Sequence, residues 1–413
     1  MNSNIAPKNA SINSKKVRII SIILGCFTYF TMNAQTSIGD VGQINAINTA
    51  VPFLRIIPDA RSGGMGDVGV AISSDANSTY FNNSKLVFAP KKLGISLSYT
   101  PWLRNLGITD IYLAHFSGYY KLDDQQALST SLKFFSLGNI TFTDFQGNIT
   151  GDFRPRELAL DVGYARKLGK SFALGVQLRY IYSNLASGQT VDGVPIKAGH
   201  AFGSDLTMTY AKDIEMKKMK SRITTGLAFT NIGSKISYSD DARNQDYIPT
   251  NMGLGLGYQL YPNDKHEVAF YVDINKLLVP TPDTIDADGD GVFDYKQKSP
   301  IAGVFSSFGD APGGFKEEMK EFYYSFGVEY WYDQQFAARA GYFLENKLKG
   351  NRKFFTAGIT ARYSVFGLDF SYLVPTSSQR SPLDNTFRFT LTFNFDKLGK
   401  KDGDDAEVMP TEE

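Results

Sequence analysis

Apolar residues alternate with small or polar residues along much of the chain, most clearly in its C-terminal half. In residues 252–260 the apolar side chains occupy every second position, with glycine or glutamine between them: Met252, Leu254, Leu256, Tyr258 and Leu260. A period of two places successive side chains on opposite faces of a β-strand. The pattern therefore predicts strands that have one apolar face and one small or polar face.

The alternation recurs in about fourteen segments of roughly ten residues, the length of a tilted strand that crosses a membrane. The segments are 93–99, 109–120, 127–137, 157–165, 172–183, 200–211, 222–231, 250–260, 267–276, 321–333, 335–345, 353–363, 366–375 and 385–396. Because the number is even, both ends of such a sheet lie on the same side of the membrane. Residues 140–146 are either a further strand or a hairpin within a loop.

The lengths of the connections provide a second test, since outer-membrane barrels have short periplasmic turns and long outer loops. The predicted outer loops are 100–108, 138–156, 184–199, 232–249, 277–320, 346–352 and 376–384, and the inner turns include 166–171, 261–266 and 333–334. The inner connection 212–221, with Lys217, Lys218 and Lys220, is longer and is interpreted as a solvated turn. This arrangement predicts an outer-membrane protein whose N- and C-termini are periplasmic, with 277–320 as its longest loop.

Ten charged residues within the segments fall on the face opposite the apolar side chains. They are Lys133, Asp161, Arg179, Asp205, Asp273, Glu329, Arg339, Arg362, Asp369 and Arg388. A basic side chain facing lipid at the membrane centre costs roughly 2–4 kcal/mol, so these positions indicate an inward face. Because both signs are present, paired charges crossing the interior are expected rather than a pore lined by one sign.

We therefore predict an all-β fold, a transmembrane antiparallel β-barrel at residues 93–396 surrounded by outer-membrane lipid. Beyond the N-terminal region, no stretch has the length and apolarity of a transmembrane helix. A membrane protein without such helices must be a closed barrel, because hydrocarbon cannot satisfy open backbone groups. A soluble β-sandwich or propeller is the alternative, since alternation also describes a half-buried sheet.

Residues 1–34 have the layout of a secretory signal peptide. Basic residues at 15–18 precede the apolar run 19–30, and Ala34 follows. We predict cleavage after Ala34, which leaves a mature chain without cysteine and therefore without a disulfide framework. A lipoprotein signal is the alternative, because Ile-Leu-Gly precedes Cys26, the single cysteine of the sequence.

The composition agrees with a barrel and excludes one class of partner. Aromatic residues make up 14% of the chain, and the formal net charge is only +1. A near-neutral chain has little long-range attraction for a polyanion, so no nucleic-acid partner is expected. The last segment alternates Phe387, Phe389, Phe393 and Phe395 with polar residues, which resembles the terminal strand read by the barrel-assembly machinery. Residues 397–413 are predicted to form a polar periplasmic tail.

Residues 35–92 lack the strand alternation and are predicted to form a hatch, a plug within or beneath the barrel. The run 52–83, PFLRIIPDARSGGMGDVGVAISSDANSTYFNN, resembles the N-terminal signature of the PorV family, an outer-membrane component of the type IX secretion system of Bacteroidetes. A Gly-rich segment followed by Asp75-Ala76-Asn77 and Asn82-Asn83 is similar to the wider FadL superfamily of fatty-acid transporters. The PorQ family shares that superfamily, and the match at 52–67 together with the chain length favours PorV.

The resemblance implies a fourteen-stranded barrel with an N-terminal hatch and a role that is not enzymatic. It implies three partners: the translocon pore protein, the C-terminal signal domains of secreted cargo, and the cell-surface attachment complex to which cargo is carried. The wider superfamily implies the alternative function, a channel for hydrophobic small molecules. Asn83-Ser84-Lys85-Leu86 departs from the Asn-Pro-Ala of that superfamily, which puts a small-molecule gate in doubt.

One motif in the longest outer loop resembles a calcium-binding loop. Acidic residues stand at its first, third, fifth and ninth positions, glycine stands at the sixth, and the seventh offers a backbone carbonyl: Asp286, Asp288, Asp290, Asp294, Gly291 and Val292. Carboxylates and carbonyls are the ligands that Ca²⁺ prefers. Gln297 stands where a helix-flanked sensor loop has glutamate, so we predict a Ca²⁺ site that stiffens the loop, with a plain acidic turn as the alternative.

Catalytic and cofactor-binding residues are not predicted. The three histidines, His115, His200 and His266, are assigned to separate parts of the barrel, so no nucleophile-base pair converges. The glycines at 63–66 lack the preceding strand and following helix that a phosphate-binding loop requires. Aromatic residues and glycines at 305–315 are instead expected to offer a surface for a protein partner.

Overall fold

The computed structural model describes residues 44–396 except 105–106, 144–145, 192, 217–218, 241–244 and 377–385. The predicted signal peptide 1–34, the first residues of the hatch and the tail 397–413 lie outside the described residues. Nearly all of the predicted loop 376–384 does as well.

Fourteen antiparallel strands form one closed barrel, as the alternation predicted. The strands are β1 (Leu93–Pro101), β2 (Ile111–Lys121), β3 (Gln126–Leu137), β4 (Arg156–Lys167), β5 (Phe172–Asn184), β6 (Gly199–Met216), β7 (Met219–Gly233), β8 (Asn251–Asn263), β9 (His266–Leu277), β10 (Tyr323–Tyr332), β11 (Phe336–Leu344), β12 (Lys353–Tyr363), β13 (Phe366–Pro375) and β14 (Phe387–Phe395). β14 pairs with β1 from Leu93 opposite Phe395 to Tyr99 opposite Phe389. This pairing closes the barrel and leaves no free strand edge.

The two faces of the wall differ as the sequence pattern requires. Outward side chains such as Leu178 and Ile359 are 67% and 61% exposed, whereas inward side chains such as Ser96 and Thr390 are fully buried. The predicted inward charges are buried in the lumen, except that Arg362 is partly buried. The apolar outer face and polar inner face are those of a barrel that spans a membrane.

The connections separate the two ends of the barrel, here named the loop end and the turn end. Residues 140–146 belong to a loop hairpin, in which Ile140–Thr143 pairs with Ile149–Phe153 outside the barrel sheet. Two smaller hairpins, Thr190–Val191 with Val194–Pro195 and Ile236–Ser237 with Gln245–Asp246, lie in the next two loops. The turn end has short connections such as 264–265 and 364–365.

The interpretation of 212–221 as a solvated turn was wrong. β6 continues to Met216 and β7 begins at Met219, and Glu215 lies opposite Lys220 in the ladder. Lys217 and Lys218 lie outside the described residues. The alternation stops here because a strand that extends beyond the apolar band meets water on its outer face, although its backbone hydrogen bonds continue.

The longest loop, between β9 and β10, folds into short helices above the loop end. They span Asp294–Gln297, Pro300–Ser306 and Phe315–Glu318. The second begins with a side-chain cap, since the Ser299 hydroxyl accepts a hydrogen bond from the Ala302 amide and proline occupies the first helical turn. In the described part of the chain, no helix is long and apolar enough to cross a membrane.

Two tyrosine–histidine pairs lie on the outer face, one at each end of the barrel. At the loop end, His200 Nδ1 is 2.7 Å from the Tyr180 hydroxyl. At the turn end, His266 Nδ1 is 2.7 Å from the Tyr330 hydroxyl. Amphipathic rings of this kind favour the interface between hydrocarbon and water, and the two pairs therefore delimit the apolar band.

The hatch passes through the lumen from one end of the barrel to the other. At the loop end, the Ala50 amide donates to the Tyr247 carbonyl, and the Asn45 amide donates to the Leu348 carbonyl. At the turn end, the Lys92 amide donates to the Phe395 carbonyl. Between them lie 3-10 helices at Pro52–Arg55 and Asn83–Phe88 and α-helical turns at Ala60–Gly63 and Ser78–Phe81.

The path of the hatch places the first described residues and the end of β14 at opposite ends of the barrel. The barrel wall itself begins and ends at the turn end, because β1 and β14 pair there. The first described residues lie at the loop end instead, so they do not support a periplasmic N-terminus on the same side as the end of β14.

We expect Leu178→Arg to destabilise the barrel in lipid vesicles by about 2–4 kcal/mol, because Leu178 is outward and near the middle of β5. Asn184→Arg, at the loop end of the same strand, should cost only about 0–1 kcal/mol. Denaturant unfolding in vesicles measures both. Equal costs would contradict a membrane-embedded outer face at β5.

Candidate functional site

The hatch backbone lies directly against glycines of the barrel wall. A methyl group at Gly341 would overlap the backbone of Met65 and Gly66, and one at Gly226 would lie 2.6 Å from the Val70 carbonyl oxygen. The strand glycines that meet the hatch backbone are Gly175, Gly226, Gly257, Gly327, Gly341 and Gly358, while Gly163, Gly253 and Gly255 meet hatch side chains. Their missing side chains provide the space that the hatch occupies.

A buried charge network fixes the hatch to β10, β11 and β13. Arg61 of the hatch donates to Glu329 at 2.7 and 2.9 Å and to Asp75 at 2.8 Å. Arg339 approaches Glu329 from the wall at 2.7 Å and also pairs with Asp369 at 3.1 Å. Each carboxylate of this network therefore has a cationic partner, as a buried charge requires.

A second network lies across β4, β5 and β6. Arg179 pairs with Asp161 at 2.6 Å and with Asp205 at 3.1 Å, and the Asn231 amide donates to Asp205 at 2.7 Å. Lys133 of β3 reaches the hatch, where its ammonium group donates to the Ile56 carbonyl at 2.6 Å. The paired inward charges predicted from both signs in the sequence are thus present, and they bind the hatch as well as one another.

The asparagines of the hatch bind backbone and hydroxyl groups in the lumen. Asn82 donates to the Val70 carbonyl at 3.0 Å, and Asn83 donates to the Val176 carbonyl at 2.9 Å. Thr207 donates to Asn83, and the buried Lys85 ammonium donates to the Gly69 carbonyl. Of the residues that depart from the Asn-Pro-Ala pattern, Lys85 therefore links two parts of the hatch to each other.

The space left around the hatch differs between the two ends. In the loop-end half, a cavity of about 90 Å³ remains next to Tyr80 and Arg179. At the turn end, a recess of about 800 Å³ opens between the hatch, the connection from β10 to β11, and the strands β12, β13 and β14. The first space is far smaller than the roughly 300–1,000 Å³ of a typical ligand pocket.

A charge network clamps the longest loop to the rim. Lys276 pairs with Glu318 at 2.7 Å and with Glu321 at 2.5 Å, while Lys349 pairs with Glu317 at 2.8 Å and with Glu321 at 3.0 Å. Burial raises the pKa of Glu318 above its usual range, and although Lys276 opposes this shift, the nearby Glu321 charge adds to it. Three carboxylates facing two ammonium groups hold the loop in one position.

The clamped loop exposes an apolar surface, here named the loop surface. Its residues and exposed fractions are Ile301 (57%), Phe305 (60%), Phe308 (47%), Phe315 (78%) and Met319 (44%). Gly303 and Ser306 form the opposite, buried face of the Pro300–Ser306 helix. The loop surface is therefore the exposed face of a loop that the charge network fixes to the rim, and it includes the aromatic residues of the predicted partner surface at 305–315.

The predicted calcium residues are brought together in part. Carboxylate oxygens of Asp286, Asp288 and Asp294 lie within 4.8 Å of one another. Asp290 is not in this group, and its carboxylate accepts from the Val292 amide at 2.8 Å. The Val292 carbonyl accepts from Gln297 at 3.2 Å. Gly289 and Gly291 have φ of 71° and 84°, which lets the loop bend around the three acids.

The histidines occupy three separate places. His115 is buried in the lumen against Tyr80, and its ring centroid lies 6.4 Å from that of the tyrosine. His200 and His266 lie on the outer face at opposite ends.

Sequence reasoning missed the hatch residue Arg61 and the clamp at Lys276. Lys276 has the outward parity of Val272 and Ile274 but is fully buried. Charged residues within the strands were expected to face inward. The outward parity of Lys276 could therefore have indicated that a loop covers the outer rim. Arg61 gave no comparable signal, because the hatch has no strand period against which to judge it.

A closed barrel with an apolar outer face and a lumen filled by its own N-terminal segment defines a plugged outer-membrane β-barrel protein. The family described as type IX secretion system protein PorV matches residues 40–284. The chain belongs to this family and is an outer-membrane component of the type IX secretion system. The match includes the hatch and β1 to β9 and ends before the acidic motif and the loop surface.

Solved structures with a similar barrel include a mutant TodX monoaromatic hydrocarbon channel, with 13% identity, 82% of this chain and 99% of that chain covered, and a TM-score of 0.48. The Ralstonia pickettii toluene transporter TbuX has 13% identity, coverage of 82% and 98%, and a TM-score of 0.43. The Pseudomonas putida toluene transporter TodX has 13% identity, coverage of 86% and 100%, and a TM-score of 0.45. What those proteins transport is not carried over to this chain. No curated protein matches significantly.

We expect Gly341→Ala to displace the hatch, because the added methyl group overlaps the hatch backbone. Overpacking of this kind costs about 1–3 kcal/mol. Limited proteolysis should then cut within residues 44–92 faster than in the parent protein.

Gly118→Ala is the matched control, since a methyl group there meets its nearest atom at an ordinary 3.4 Å. If the protease cut both variants as fast as it cuts the parent protein, the position of the hatch would not depend on the glycine at 341.

Proposed function

We propose that this protein serves type IX secretion as a non-enzymatic carrier of secreted proteins. In this proposal it binds the C-terminal signal domain of cargo at the translocon pore protein and passes the cargo to the cell-surface attachment complex. The observation that carries the proposal is a lumen filled by the hatch beneath an exposed apolar loop surface. A filled barrel acts through its surfaces, and exposed apolar patches of this kind are typical of protein-binding sites.

The arrangement of the lumen favours a carrier over a channel for hydrophobic small molecules. A hydrophobic solute needs an apolar path, whereas the hatch places Arg61, Glu329 and Arg339 across the lumen. Moving the hatch aside would break these buried pairs, and leaving one partner uncompensated costs about 3–5 kcal/mol. The loop-end cavity of about 90 Å³ is also too small for most such solutes.

We also propose the orientation of the barrel. The loop end faces the cell exterior and the turn end faces the periplasm, since outer-membrane barrels place long loops outside. The end of β14 is then periplasmic, and residues 44–50 lie near the cell surface. This orientation puts the loop surface where an exported protein emerges.

The loop surface generates the principal test. We expect the triple substitution Phe305→Ala, Phe308→Ala and Phe315→Ala to reduce copurification of the translocon pore protein or cargo C-terminal domains at least about tenfold. A single aromatic hot spot contributes about 2 kcal/mol or more to an interface, which already exceeds a tenfold change in affinity. The measurement is quantitative mass spectrometry after affinity purification of the tagged protein from its native membrane.

Ile149→Ala is the matched control, because Ile149 is a 72% exposed apolar side chain on a different outer loop. The amounts of translocon pore protein and cargo C-terminal domains that copurify with this variant should equal those that copurify with the parent protein. Bound lipid with no secretion partner in the parent purification would overturn the carrier proposal and support the channel.

We propose further that the acidic motif binds Ca²⁺ and thereby stiffens the longest loop. Asp286, Asp288 and Asp294 would supply carboxylate oxygens, and their closeness supports this assignment. Asp290 and the Val292 carbonyl would have to exchange their present hydrogen bonds for the ion. Three carboxylates this close repel one another, which a divalent cation would relieve.

We expect isothermal titration calorimetry of the purified protein to detect Ca²⁺ binding that Asp288→Asn weakens at least about tenfold, since it removes one anionic ligand. Asp264→Asn, an exposed acid at a turn-end connection, should leave binding unchanged. Absence of binding heat in the parent protein would refute the site.

A further inference from the structure

Four buried arginines of the lumen pair with at least one carboxylate, among them Arg388 with Asp67 at 3.6 Å, whereas Arg362 has no such partner in the described part of the chain. Arg61, Arg179 and Arg339 each bind two carboxylates. Arg362, inward at the turn end of β12, makes no ion pair within the described part of the chain, and its Nε atom is buried without a hydrogen-bond partner. Its charge is therefore available to an anion that approaches from the recess.

An aromatic ring holds the Arg362 guanidinium in place. Its Cζ atom lies 4.0 Å from the centroid of the Trp331 ring, and Arg339 lies 5.3 Å from the same centroid. Stacking on an aromatic face orients the guanidinium plane and leaves its edge N–H groups free to donate. The arrangement presents a planar fork that suits bidentate binding of a carboxylate.

Acidic groups near Arg362 are already bound elsewhere. Asp369 pairs with Arg339, and Asp75 pairs with Arg61. Glu267 accepts hydrogen bonds from the side-chain amides of Gln259 at 2.9 Å and Gln334 at 2.8 Å. None of these three carboxylates neutralises Arg362 by direct contact.

The space beside Arg362 is large enough for a chain rather than a single ion. Arg362 lines both the turn-end recess of about 800 Å³ and a neighbouring recess of about 290 Å³, which share further lining residues. Amide side chains in the lining offer donors and acceptors to a peptide backbone: Asn77, Gln259, Gln334, Gln335 and Asn394. A volume and lining of this kind fit an extended peptide.

We propose that Arg362 binds a carboxylate of a peptide that enters the recess from the turn end. Two sources share this chemistry. One is the chain's own segment 402–413, DGDDAEVMPTEE, which carries six acidic residues without lysine or arginine and follows β14 at this rim. The other is an acidic peptide of another protein. The site lies at the opposite end from the loop surface and does not depend on the carrier proposal.

The two tryptophans of the chain allow a direct measurement. In a full-length Trp102→Phe protein, Trp331 beside Arg362 is the sole emitter. Six further substitutions, Asp402→Asn, Asp404→Asn, Asp405→Asn, Glu407→Gln, Glu412→Gln and Glu413→Gln, remove the internal acids. A synthetic peptide of residues 402–413 is then titrated while Trp331 emission is followed.

We expect a saturable change in emission that Arg362→Gln weakens at least about tenfold, the loss expected for one strong charge-assisted contact. Arg362→Lys should bind with intermediate affinity, because it keeps the charge but loses the fork. Arg166→Gln, an exposed arginine at the same end, should bind like the parent. A peptide with its acids replaced by amides should not bind.

Peptide binding to the protein that keeps its native segment 402–413 distinguishes the two sources of the bound carboxylate, that segment and a peptide of another protein. If segment 402–413 is the occupant, the added peptide will bind weakly until the internal acids are neutralised, and neutralisation alone will alter Trp331 emission. Equal binding with and without those acids assigns the site to another protein's peptide. A missing response, or one that Arg362→Gln leaves unchanged, would overturn the proposal.

Discussion

The rest of the structure depends on the pairing of β1 with β14. Inside a membrane, each backbone amide and carbonyl must find a partner within the protein, and only a closed sheet of strands provides this. The ladder from Leu93 and Phe395 to Tyr99 and Phe389 completes that closure. Once the sheet is closed, a period of two separates each strand into a lipid face and a lumen face, and the chemistry of each face follows from its surroundings.

The lumen behaves as a polar protein core enclosed by an apolar shell. Glu329 lies between Arg61 of the hatch and Arg339 of the wall, and the wall glycines leave room for the hatch backbone. Buried ion pairs add little net stability, since desolvation offsets much of their attraction. Their effect here is positional, because the Arg61–Glu329 pair joins the hatch to the wall. The same principle holds the longest loop through Lys276 and Lys349.

The sequence predicted those features that repeat locally. Strand number and the inward charges followed from the period of two, and most strand ends lie within a few residues of their predicted positions. The hatch path could not be predicted, because 44–92 has no period and its partners are distant in sequence. The prediction of a turn at 212–221 was wrong because the hydrogen bonds between β6 and β7 continue beyond the apolar band. Outward side chains there meet water and need not be apolar, so the alternation stops before the strands end. In the acidic motif, the spacing placed three carboxylates together but did not predict that Asp290, which accepts from the Val292 amide, lies outside that group.

The route of the hatch also constrains how the molecule can be assembled. The chain enters the lumen near Ala50 at the loop end and leaves at Lys92, beside the closing strands. Threading it through a finished barrel would require Arg61 to pass through the lumen without its wall partner, Glu329. A wall that closes around a hatch already in position avoids that step. The hatch, which is synthesised before the strands, would then act as the template for the wall. The last strand, β14, would close the wall around it.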